Sequence, residues 1–182
     1  MLQCSSAFAI RGGQVHYLAE FKGAPDTEQL AIAIRTRFWP NWNNQDHLDF
    51  NKKVCNIFVY PDPTGKSRKT SAVVGATDLT ILASHGLIVR ARGSSPSIVD
   101  SVAAVNRMLM TAAGTISIFI DAKLTGLIQS LERTAWVENT SDSATIDKSL
   151  GVEHFSDGVR YPMEYLFPIK NASRGNVKGN SF

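Results

Sequence analysis

Thr64-Gly65-Lys66-Ser67 is the stretch whose residue types come nearest to phosphate chemistry: backbone amides of a glycine turn followed by Lys and Ser can cradle a nucleotide. Its spacing excludes that chemistry. The full motif needs a glycine where Tyr60 stands, and residues 71–74 (SAVV) are β-prone where a helix should begin. With Pro63 and Gly65 at positions that turns favour, the segment reads as a turn. The histidines His16, His47, His85 and His154 and the cysteines Cys4 and Cys55 show no metal-ligand spacing. No Ser, His and acid grouping carries a nucleophile-elbow signature. The expectation is a chain without catalytic residues, metal site or cofactor, and so not an enzyme.

Charge is the remaining lead. Lys52 and Lys53 precede the apolar run 54–60 (VCNIFVY), and Lys66, Arg68 and Lys69 follow it. These five read either as a solvated loop or as an electrostatic contact with phosphates, on lipid head groups or RNA. Each cation near an anionic bilayer contributes about 1 kcal/mol, so five give an adsorption that salt weakens. Between Trp136 and Asp157 stand five acids (Glu138, Asp142, Asp147, Glu153, Asp157) against Lys148, whereas residues 170–182 carry Lys170, Arg174 and Lys178 and no acid. Surfaces of opposite sign dock copies head to tail, so Glu138 and Asp142 against Lys170 and Arg174 are expected to support self-association. Trp39 and Trp42 flank a polar corner; they read as core residues or, if exposed, as anchors of that interface.

Composition bounds these readings. The 182 residues are 43% hydrophobic, enough for one core without disulfides or metals. Nineteen Lys plus Arg against 16 Asp plus Glu give a net charge of +3, short of the basic stripe of a dedicated DNA binder. The first residues lack the basic start and long apolar middle of a secretory signal, and no run of 18 apolar residues occurs. The expectation is a cytosolic chain with reduced thiols and, at most, peripheral membrane contact.

The elements that must position these residues follow from periodicity. Residues 7–10 and 15–22 flank Arg11-Gly12-Gly13 and predict a β-hairpin. Asp26 with Gln29 reads as a capping box for a helix carrying Leu30, Ala33, Ile34 and Phe38, stopped by Pro40. Residues 54–60 predict a buried strand, and 71–74, 79–83 and 87–92 further strands. A second helix is expected from Pro96 to Gly114, with Val99, Val102, Val105 or Asn106, Leu109 and Ala113 as its buried stripe. Residues 115–121 (TISIFID) predict a strand, 123–136 a third helix, 139–149 a loop, and 159–169 an edge strand because of Pro162 and Pro168. The order argues an α+β fold: a single domain over 1–170, a mainly antiparallel sheet with two or three packed helices, and a flexible basic C-terminal tail over 171–182.

Tyr17 to Phe21, then AIAIRTRFW (31–39), NKK with VCNIFVY, DPTGKSRKTSAV (62–73) and GTISIFI (114–120) stand in an order that resembles the rhabdovirus matrix protein family, including its plant-infecting members. The long lysine-rich arm and the budding motif of the family's animal members have no counterpart here. The resemblance implies a viral structural protein, found in the virion and in host cytoplasm peripheral to membrane. It would form homo-oligomers, condense the viral nucleocapsid and bridge it to the anionic inner face of the envelope. The alternative is an RNA-binding capsid or nucleocapsid protein using the same basic residues.

Overall fold

Gly12 and Gly13, with φ of 56° and 80°, make the two-residue turn that only glycine adopts without strain at both positions, and they fix the hairpin register Arg11 opposite Gln14. The computed structural model describes residues 3–39, 55–63, 77–137, 145–149, 151 and 153–169. Its elements run β1 (Gln3–Arg11), β2 (Gln14–Ala24), α1 (Thr27–Phe38), β3 (Phe58–Val59), α2 (Asp78–Ser84), β4 (Ile88–Val89), α3 (Ile98–Leu109), β5 (Ile118–Ile120), α4 (Thr125–Arg133) and α5 (Glu153–Leu166).

The fold is α+β, as the pattern predicts, with one mixed sheet and one parallel pair. β1 and β2 pair antiparallel, β5 adds to β2 in parallel, and β3 pairs with β4 in parallel. Five helices, rather than two or three, are present among the described residues.

α1 starts where expected: the Asp26 carboxylate accepts from the Gln29 amide at 2.8 Å, and the helix ends on Trp39. Leu30, Ala31 and Ile34 are buried against Leu82 and Leu87. A separate core joins Val15, Tyr17 and Ile118 of the sheet to Val105 and Met108 of α3, Leu127 of α4, and Phe155, Val159 and Met163 of α5.

Four elements depart from expectation. Residues 78–84 form α2 because Thr77 and Thr80 close a reciprocal capping box and Asp78 lies in the first turn; the sequence signal for a strand here was the apolar run alone. α5 occupies the place of the expected edge strand. Phe155, Val159 and Met163 recur at helical spacing on its buried face. Three such side chains, at about 1.5–3 kcal/mol each, outweigh the cost of about 3 kcal/mol for the internal Pro162. In α3 the cap is Ser97 and the buried positions are Ser101, Ala104, Val105 and Met108, while Val99 is 50% exposed, so the stripe lies one step from the expected one. β3 keeps only two residues of the expected buried strand, and Phe58 is 45% exposed. The segments 71–74 and 171–182 lie outside the described residues.

Candidate functional site

Asp62 stands two residues beyond Tyr60 and just past the end of β3, and Asp157 lies one turn into α5, 95 positions later in the chain. The fold brings them to one place. The Tyr161 hydroxyl, one turn beyond Asp157 on α5, donates to the Asp62 carboxylate at 3.0 Å. Burial raises the Tyr161 phenol well above its ordinary value, and the charge and hydrogen bond of Asp62, then the charge of Asp157, raise it further. Tyr161 therefore stays a donor and holds Asp62 in orientation.

Asp157 is oriented from its other side. Arg160, one turn along α5, meets its Oδ1 through Nε and Nη2, while Nη1 donates to the Ser101 hydroxyl of α3 at 2.8 Å. This pair is mostly buried, with side-chain exposures of 9% and 21%. The guanidinium thus fixes α5 to α3.

Beside the carboxylates runs a rim of arginine and aromatic side chains from the ends of β3, β4 and α5. Arg92 pairs with Glu164 at 2.6 Å and lies over the Tyr165 ring at 5.2 Å. Arg90 lies over Phe58 at 5.4 Å, and Tyr60 meets Tyr165 at 5.2 Å between centroids. Burial raises the Tyr60 phenol, Tyr165 adds to the shift and Arg90 opposes it.

Asp62, His154, Asp157 and Tyr161 together line a cavity of about 1050 Å³, larger than most small-ligand pockets, which span about 300–1,000 Å³. Among the described residues no group of three or more His, Cys, Asp or Glu side chains is placed to hold a metal ion, and no helix is long and apolar enough to cross a membrane.

The residues singled out in the sequence fare differently. Trp39 is 2% exposed; its indole N–H donates to the Cys55 carbonyl at 3.1 Å and Arg35 lies over its ring. It belongs to the core, the first of the two readings its position allowed, and so is not an exposed anchor for self-association. Trp42, Lys52, Lys53, Lys66, Arg68, Lys69, Glu138, Asp142, Lys170 and Arg174 lie outside the described residues. In the sequence Asp62 figures only in the stretch 62–73 that carries the family resemblance, and Asp157 only in an acidic stretch. The signal in the sequence was an acid two residues after an apolar run, together with an Asp-x-x-Arg-Tyr spacing that only a helix makes into one face.

Neither a protein-family model nor a curated protein matches the chain. Among solved structures, the crystal structure of the large terminase from a thermophilic bacteriophage superposes on 88% of this chain with a TM-score of 0.59 at 14% sequence identity. The likeness is one of fold. The matched part is 36% of that protein, so this chain spans about a third of its length.

Proposed function

We propose that this chain is a domain of a phage protein of the large-terminase type and that it hydrolyses phosphodiester bonds of nucleic acid at Asp62 and Asp157. This reading departs from the non-enzymatic expectation. The observation that carries it is that a strand-end carboxylate, Asp62, and a helix carboxylate, Asp157, each held by its own donor, line one cavity. The fold likeness to a large terminase supports it.

The chemistry suits the residues. A hard divalent cation such as Mg²⁺ takes oxygen ligands, commonly one or two protein carboxylates completed by water and substrate phosphate. Asp62 and Asp157 would hold it, and when bound it supplies charge stabilisation at the phosphate and a more acidic water. Tyr161 keeps Asp62 in orientation and Arg160 does the same for Asp157. Arg90 and Arg92, with Tyr60 and Tyr165, offer the mixture of cations and ring faces that tracks a nucleic-acid strand. Water would attack phosphorus and lose a proton to solvent, and the bond to the leaving sugar oxygen would break as that oxygen takes a proton from solvent.

Incubation with supercoiled plasmid in Mg²⁺ or Mn²⁺, with and without EDTA, tests the reading. Metal-dependent nicking that Asp62→Asn and Asp157→Asn abolish is expected; equal nicking by the folded variants overturns it. The matrix-type reading rests on basic residues outside the described ones, and it predicts instead that anionic liposomes outcompete DNA at matched ionic strength.

A further inference from the structure

Two residues that a helix interior disfavours, Gly158 and Pro162, stand inside α5, four positions apart. They share one face. His154, Asp157, Gly158, Tyr161 and Pro162 recur at i, i+3, i+4, i+7 and i+8, and all five line the cavity that Asp62 also lines, whereas Phe155, Val159 and Met163 belong to the core. Packing does not require the glycine: a Cβ at position 158 would meet nothing within 4 Å among the described residues. Nor does the backbone, because Gly158 is not among the glycines of positive φ. A broken local preference with neither reason behind it is characteristic of a functional place.

The proline accounts for the pairing of the two. Pro162 has no N–H, so it cannot donate to the carbonyl of Gly158, its partner four residues back in a regular helix. Helix carbonyls point along the axis toward the C-terminus. That of Gly158 therefore points at the turn from which Tyr161 donates to Asp62 at 3.0 Å. With no Cβ at position 158, the approach from the cavity is open beside Asp157.

We propose that the Gly158 carbonyl is a third protein oxygen for the divalent cation of Asp62 and Asp157, an inference that rests on the phosphodiester-cleaving reading. Among the described residues no group of three His, Cys, Asp or Glu side chains is placed to hold an ion, so His154 does not complete the set. Hard cations take backbone carbonyls beside carboxylates. Pro162 is then a positioning residue, acting through the oxygen that it leaves unpaired. In Pro162→Ala the new N–H returns that oxygen to the helix.

Calorimetric titration of the purified chain with Mn²⁺ tests this. P162A should bind about tenfold or more weakly and unfold in urea no earlier than the parent, so that weaker binding is not lost folding. Equal affinity in P162A overturns the inference. Asp157→Asn separates it from the reading beneath it. A parent that binds Mn²⁺ no better than Asp157→Asn overturns both, whereas loss in Asp157→Asn with none in P162A overturns the carbonyl ligand alone. A second readout needs no variant: on addition of Mg²⁺ the carbonyl-carbon resonance of Gly158 should move together with the carboxyl carbons of Asp62 and Asp157. Carboxyl carbons that move while Gly158 stays still overturn the inference.

Discussion

The Nδ1 of His85 lies 3.0 Å from Nη1 of Arg35, and both side chains are all but completely buried, at 0% and 1% exposed. A guanidinium has only donors, so Nδ1 accepts and the proton sits on Nε2, which meets Glu28 at 2.8 Å. The neutral imidazole thereby links α1 to α2. Burial lowers the Arg35 pKa and Glu28 opposes that shift.

Replacing His85 with Ala removes an acceptor beside a buried cation and leaves a cavity, at a cost of about 2–4 kcal/mol. Gln, which can still accept, should recover part of that. Urea denaturation of H85A, H85Q and H85F measures it; an H85F as stable as the parent shows that packing alone was at work.

Asp62 and Asp157 differ in how they resist substitution. Asp62 is exposed and Asp62→Asn should leave stability within about 0.5 kcal/mol while removing cleavage. Asp157→Asn weakens a largely buried ion pair and should cost about 1–3 kcal/mol. Thermal melts alongside the plasmid assay separate the two effects, because loss of cleavage by the stable Asp62 variant cannot be a folding defect.

At Gly126 the ordinary sign of a helix substitution reverses. α4 has no side-chain cap of its own; the Glu20 carboxylate of β2 accepts from the Gly126 and Leu127 amides at 3.3 and 2.9 Å. A Cβ on Gly126 would stand 3.0 Å from a Phe155 ring carbon and 3.2 Å from Glu20. Gly→Ala inside a helix normally stabilises by about 0.5–1 kcal/mol. Here G126A should destabilise by about 1–2 kcal/mol, and E20A by about 1 kcal/mol. A stabilised G126A refutes this.

Alkaline pH should loosen the fold through two tyrosines. Burial raises the phenol of Tyr17, and burial with Asp62 and Asp157 raises that of Tyr161, both from an ordinary value of 10.0. The folded state thus keeps protons that the unfolded chain loses. Stability is fully present below pH of about 10 and falls as pH rises above it. Phenolate absorbance followed with circular dichroism checks the sign: in Y17F the decline should be shallower.

The sequence showed clearly those elements whose signals are local. The Gly12-Gly13 turn, the Asp26 cap, the alternation that ends in Ile118 and Ile120, and the Leu124, Leu127 spacing of α4 each name their element within a few residues. α5 was hidden because Pro162 argues against a helix locally, while the contacts of Phe155, Val159 and Met163 that decide the matter come from α3, α4 and the sheet. The carboxylate pair was hidden for the same reason. Asp62 and Asp157 are 95 positions apart, and only the packing of α5 against β1 and the β3 end gives them a common neighbour in Tyr161.

The partners of β2 also bear on how the chain is made. Val15 and Tyr17 lie opposite Ile118 and Ile120, and Glu20 reaches the start of α4, so this early strand finds its neighbours about a hundred positions downstream. A ribosome has emitted the hairpin long before it emits those residues. Until then Val15 and Tyr17, both buried in the finished fold, stand in water, and such distant pairings form slowly. The interval between the emergence of the hairpin and that of residues 118–127 is thus one in which its apolar face is open to aggregation.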